Sequence, residues 1–233
     1  MCISRVGATD EERARLVGTT VEGLRGRGLA DGRGLRADLV DGLMLLAHPR
    51  WLVDARLDTY RPLRALGAAG GMTSVIAVLE GDVVTLTHGT AFRLPADMAA
   101  LASDHPQASG ASINLSAEVL LAAAERVAGE DPQRLADELV ERGVSPGDAR
   151  TLAQVNAAMV GSGQFGVEVH DPDAGLRRAG RVVGFSDTRD GRWAQLRTVA
   201  HGGIQWVTFT PAGTAQLAVM ITDLLAECGV RAA

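Results

Sequence analysis

Residues 161–228 repeat the order of elements found in residues 41–103, and this internal echo limits the fold more than any other feature of the chain. Each segment reads as helix end, strand, polar loop, β-hairpin and closing helix. In the first, a strand over 51–57 leads into a polar loop over 59–72. A strand over 74–79, the turn Glu80-Gly81-Asp82, a strand over 83–87 and a helix after Pro95 follow. In the second, a strand over 164–169 leads into a polar loop over 171–180. Strands over 181–186 and 193–199 then flank a turn at 188–191, and a strand over 204–209 and a helix after Pro211 close the copy. Matched strands lie about 110 residues apart, too far for the repeat of a solenoid. A single domain over 1–233 is therefore expected, with halves at about 7–110 and 111–230 that build one sheet.

The sequence ahead of and between these copies specifies helices. Thr9 followed by Glu12 forms a capping box, and Ala14, Val17, Val21 and Leu24 then recur at helical spacing up to Gly28. Residues 26–34 read as a glycine-rich loop, and Leu35, Leu39, Leu43 and Leu46 mark a second helix stopped by His48-Pro49. After a short strand over 111–115, Ser116 opens a helix over 117–128, Asp131-Pro132 opens another that ends at Gly143, and Ser145-Pro146 opens a third reaching Gly161. Leu152, Val155 and Met159 define the face of that third helix. The three make a helical bundle set ahead of the second sheet half. Alternation in Val167/Val169 and Val183/Phe185, with the turn signal Asp190-Gly191, predicts antiparallel pairing. The expected fold class is α+β, a central antiparallel sheet with helices packed on it and beside it.

Composition removes several functions. The chain has 233 residues, enough to bury roughly 70–75% of its unfolded surface without a staple. Aromatic residues make up 3%, so Leu, Val and Ala must fill the core. The net charge is −5 and no basic cluster exceeds a dipeptide, which argues against nucleic acid or an anionic membrane as partner. All the basic residues are Arg, a mark of high-GC coding. Cys2 and Cys228 lie at opposite ends with no CxxC, so neither a zinc site nor a disulfide framework is indicated. The N-terminus has no apolar signal region, and the longest apolar runs, such as 119–124, are far below the ~20 residues of a membrane span. A reducing cytoplasm is the expected compartment.

Catalytic patterns are weak. His48, His88, His105, His170 and His201 are scattered singly, without a second ligand at metal-binding spacing. His170-Asp171 with Ser162 or Ser186 as nucleophile gives a hydrolase alternative, but there is no GxSxG elbow. Gly161-Ser162-Gly163 precedes a strand, the reverse of the order that aims backbone amides at a phosphate, and reads as a helix cap before the strand. Residues 67–71 (GAAGG) read as a flexible loop. No catalytic residue, metal site or cofactor is assigned. Recognition by contact is the alternative to chemistry. Trp193, Gln195 and Arg197 alternate on one strand face, a residue mixture typical of interfaces, and Arg189 and Arg192 in the adjoining hairpin would orient a partner. A second reading stands beside it, in which Trp193 packs under a helix and Arg197 is a solvated edge charge.

The run Gly161-Ser162-Gly163-Gln164-Phe165-Gly166-Val167, then Arg177-Arg178, Arg181-Val182-Val183-Gly184-Phe185, Asp187-Thr188, Gly191-Arg192 and Trp206-Val207-Thr208 with Pro211, resembles the EspG family of ESX (type VII) secretion-associated proteins of actinobacteria. The first half agrees in the segment 43–49, in Gly81-Asp82 and in Val84-Thr85-Leu86. The resemblance covers about residues 7–228. It implies a pseudo-two-fold α+β fold with two helical bundles flanking the sheet. It also implies a cytosolic chaperone that binds PE/PPE heterodimers, or WXG-like helical hairpins, and grips them with sheet and C-terminal bundle, without a cofactor. Family members carry a further helix and strand-like segment ahead of the position of Val6-Gly7-Ala8-Thr9, where five residues stand here. A self-associating structural domain that pairs an exposed sheet edge with a second copy remains a further reading.

Overall fold

The computed structural model describes residues 9–127, 131–171, 175–200 and 202–230; Cys2, His201 and Val6-Gly7-Ala8 lie outside them. Helix α1 (Asp10–Gly26) begins where the capping box predicts, with the Glu12 N–H donating to Thr9 Oγ1 at 3.1 Å. None of its residues is buried. The segment expected to be a plain glycine loop folds as a small hairpin, β1 (Ala30–Asp31) with β2 (Gly34–Leu35), because Asp31 Oδ1 accepts the Arg33 N–H at 2.7 Å and closes the turn. Helix α2 (Ala37–Ala47) follows.

The first half then runs β3 (Trp51–Asp58), β4 (Leu63–Gly70), β5 (Thr73–Glu80), β6 (Val83–Thr90) and α3 (Leu94–Ala100). A connector holds β7 (Ile113–Ser116), α4 (Ala117–Arg126), α5 (Pro132–Glu141) and α6 (Pro146–Ala157). The second half runs β8 (Met159–Asp171), β9 (Gly175–Arg178), β10 (Val183–Thr188), β11 (Gly191–Val199), β12 (Gln205–Pro211) and α7 (Thr214–Glu227). All strands after β2 join one ten-stranded sheet in the order β6-β5-β4-β3-β8-β10-β11-β12-β7, with β9 pairing the end of β8 beyond β10, along the same edge, and every pair antiparallel. The α+β class with a large antiparallel sheet is as expected.

Three local expectations change. Both stretches taken for polar loops contain strands, β4 within 59–72 and β9 within 171–180. Helix α6 stops at Ala157, so Met159 and the glycines at 161 and 163 belong to β8. The GAAGG stretch starts inside β4 for a packing reason. A Cβ on Gly67 would lie 2.7 Å from Leu94 Cδ1 and 2.8 Å from Met98 Sδ, so the missing side chain is the space into which α3 packs.

The sheet has two unlike faces. On one, Val53, Leu57, Phe165, Val183 and Phe185 are covered by Leu94 and Met98 of α3 and by Leu217, Ile221 and Leu224 of α7. Phe165 and Phe185 stack at 6.0 Å between ring centroids. Each large apolar side chain buried here contributes about 1.5–3 kcal/mol. The other face is covered only towards its two ends. At the β4–β6 end sits α2, where Gly42 lets the helix approach Val75 and His88; a Cβ there would meet them at 3.1–3.4 Å. At the β7–β12 end, Ile113, Leu115, Val207, Phe209 and Trp193 form a second core with Leu135, Leu139 and Leu152 of the α4–α6 bundle. Asp131 and Ser145 cap α5 and α6 by accepting the N–H groups of Gln133 at 2.9 Å and Asp148 at 3.1 Å.

Candidate functional site

Between α2 and the bundle, the middle of the second face stays open as a groove of about 1140 Å³. Strand alternation decides its lining. With Val53, Ala55 and Leu57 turned into the core, Asp54, Arg56 and Asp58 of β3 must face the groove. Register carries that polarity across the neighbours: Arg56 stands opposite Gln164, Gln164 opposite Gly184, and Gly184 opposite Gln195. Arg64 of β4 stands directly opposite Arg56 on its other side. Two like charges side by side in a sheet are unfavourable unless something neutralises them. Within the chain, Arg56 Nε lies 3.5 Å from Asp58 Oδ2 on an exposed surface, a weak contact.

Arg178 organises the far wall. Its Nη1 lies 2.7 Å from Glu168 Oε1 and 2.8 Å from Asp54 Oδ2, and its Nη2 donates to Asp54 Oδ1 at 3.1 Å. The hydrogen bond to Asp54 first, with that to Glu168 adding, raises the guanidinium above its ordinary pKa against partial desolvation, so it stays charged at any pH at which the protein folds. Asp54 Oδ2 is buried in this ion pair without an aligned donor. Gly166 leaves the gap through which Arg178 reaches across the sheet; a Cβ there would be 2.5 Å from Asp54 Oδ2. At one end of this polar floor stands Val199, 69% exposed, with Ile204, 54% exposed, close by where β11 connects to β12.

The residues singled out in the sequence divide. Trp193, Gln195 and Arg197 do share one face, and Gln195 and Arg197 line the groove. Trp193 does not present itself to a partner: it is 4% exposed, packed under the bundle in the second core. Arg192 is also corrected from an orienting surface charge to a buried clamp with no exposure. Its Nε and Nη2 donate to Asp187 Oδ1 and Oδ2 at 2.5 and 2.9 Å, Nη2 also to the Ala102 carbonyl at 2.6 Å, and Nη1 to Thr214 Oγ1 at 3.2 Å. The guanidinium lies 4.7 Å from the Phe185 ring centroid. One side chain thus ties β10, the end of α3 and the start of α7 together. Arg189 is exposed at the tip of the β10–β11 hairpin, outside the groove lining.

The chain matches the family model of the EspG family over residues 2–223. It belongs to the EspG family. Among solved structures, the Mycobacterium tuberculosis type VII secretion system chaperone EspG5, in complex with a PE25-PPE41 dimer, matches with a TM-score of 0.74 at 18% identity, covering 90% of this chain and 84% of that one. At that identity the likeness establishes a shared EspG fold. No match is found among curated protein sequences.

The hydrolase grouping is not assembled in this EspG chain. Ser162 and Ser186 are cross-strand partners, but His170 lies eight residues further along β8, about 26 Å away at the rise of a strand. His88 lies in β6 beside α2, and His105 Nε2 pairs with the Thr188 carbonyl at 2.8 Å. Among the described residues, no three His, Cys, Asp or Glu side chains converge on a metal-sized point, and no helix is long and apolar enough to cross a membrane.

Arg56, Arg64, Gln164 and Arg178 were not singled out from the sequence as partner-binding residues. The period-two alternation of Asp54, Arg56 and Asp58 with Val53, Ala55 and Leu57 carried the signal for a polar sheet face.

Proposed function

We propose that this protein is a cytoplasmic chaperone or adaptor that binds a type VII secretion substrate of PE/PPE or WXG-like helical type and keeps it soluble for export. It acts by contact, not by catalysis, and works as one unit over residues 1–233. The observation that carries this reading is the uncovered centre of the second sheet face, a polar floor bordered by projecting apolar side chains and set between α2 and the bundle. Such a surface suits the end of a helical bundle, where apolar residues and helix termini are exposed together. Membership of the EspG family, and the EspG5 complex with PE25-PPE41, support the choice of client. In this reading Gln195 and Arg197 would touch the client, joined by Arg56, Arg64 and Gln164, and Arg189 would act from the hairpin tip.

The test is affinity purification of the tagged full chain from its own host, with mass spectrometry of what survives a salt wash. A PPE-like or WXG-like helical protein at near-equal amount is expected. Recovery of the chain with no such protein, from cells that express one, would sink the proposal.

A further inference from the structure

The groove has hydrogen-bonding capacity left over, and most of it is donor capacity. The carboxylates around it are engaged: Arg178 holds Asp54 and Glu168, Arg181 Nε donates to Glu227 Oε2 at 3.0 Å, and Asp58 faces Arg56. The guanidinium groups of Arg64 and Arg197 have no partner among the described residues, and neither do the carboxamides of Gln164 and Gln195. Arginine can only donate, and a carboxamide turns its NH2 group towards whatever acceptor is offered. Register sets these groups in a line. Arg64, Arg56, Gln164, Gly184 and Gln195 follow one another across β4, β3, β8, β10 and β11. Beyond Gln195 the line ends at Phe209, in the second core. Neighbouring strands lie about 4.8 Å apart, so the two carboxamides stand about 10 Å from each other with Gly184 midway. A helix with its side chains is about 10–12 Å across. The gap is one helix wide and glycine keeps its centre clear; a Cβ on Gly184 would stand 3.3 Å from Gln195 Cβ.

The two ends of a helix offer this seat opposite chemistry. The last four carbonyls have no partner inside the helix and carry the negative end of its dipole, whereas the first four N–H groups carry the positive end. We propose that the groove receives its client by a helix C-terminus seated over Gly184. Gln164 and Gln195 donate to the terminal carbonyls from either side. Arg56, Arg64 and Arg197, the last of these two residues beyond Gln195 on the same strand face, meet the negative end of the dipole. The inference rests on the client reading above and adds a polarity to it. A helix presented by its N-terminus would set unpaired N–H groups against arginines, so the groove distinguishes the two ends of a helical hairpin.

Isothermal titration of full-chain variants with the helical client recovered from the host tests this, with the melting temperature as a check on folding. Gln164→Glu and Gln195→Glu keep size and shape but replace a donor by an acceptor, and each should raise the client Kd about tenfold or more without moving the melting temperature. Gly184→Val, a residue that suits a strand, should do the same by filling the seat. On the client, Asp and Glu residues at the end that this chain protects from hydrogen exchange are changed to Asn and Gln. The Kd should then stay within about threefold, because main-chain carbonyls are the acceptors. A loss of about tenfold there would assign the contact to client carboxylates and overturn the proposal. Binding indifferent to Gln164→Glu, Gln195→Glu and Gly184→Val would overturn it too, while leaving the chaperone reading in place; recovery of no helical client would remove both.

Discussion

Arg192 shows how a residue suited by type to a surface can be claimed by the interior. Its guanidinium has full hydrogen-bonding company in Asp187, the Ala102 carbonyl and Thr214, and Ser103, at φ 62, turns its own carbonyl to within 3.3 Å of the same Nη2. Breaking such a pair from one side leaves a buried charge uncompensated. Arg192→Ala is therefore expected to cost about 3–5 kcal/mol in urea unfolding, whereas replacing Arg192 and Asp187 together by apolar residues should cost much less. Trp193→Ala should likewise lower stability by about 3–5 kcal/mol through a cavity in the second core. If Trp193→Ala instead leaves the unfolding midpoint unchanged and removes client binding, its place in that core is wrong. Gln195 and Arg197, two and four residues further along the same strand face, emerge from beneath the bundle into the groove.

Among the elements, the glycine-containing strands carry the clearest test of packing. A Cβ on Gly163 would come within 2.5 Å of Phe185 Cε1 and 2.6 Å of Leu57 Cδ2, so Gly163→Ala should destabilise the fold by about 1–3 kcal/mol through overpacking. Thermal melting would check it, and an unchanged midpoint would mean the rings have room to retreat. The same close approaches explain what the sequence left hidden. Helices with side-chain caps at Thr9, Asp131 and Ser145 were legible because their start signals are local. β4 and the start of β8 were not, because the glycines that read as turn formers are required by helices and rings distant in sequence. For the site, alternation told which side chains share a face of β11. It could not tell that the bundle covers Trp193 and leaves Arg197 free, since that boundary is set by where α5 and α6 lie.

At the scale of the whole molecule, two faces of one sheet have been given different work. The α3 and α7 face holds the halves together, and the opposite face is walled at both ends and open between. If the open part receives the client, replacing both Arg56 and Arg64 by Ala should weaken the complex by about tenfold or more, near 1.4 kcal/mol, and flatten its dependence on salt. Isothermal titration at two ionic strengths would read both effects, with unfolding curves as the control. An unchanged affinity would move the contact to the apolar rim at Val199 and Ile204. The centre of the sheet has a further consequence, in time instead of space. β3 pairs along its whole length with β8, which lies more than a hundred residues later in the chain. During synthesis, β3 to β6 can form as a meander while the ribosome is still making the connector, but the inner edge of β3 has nothing to pair with until β8 emerges. Closure of that seam is a distant contact with a large entropic cost, and it should set the pace of folding. A nascent chain paused before Met159 would present an unpaired strand beside an uncovered apolar face, the state most exposed to wrong partners.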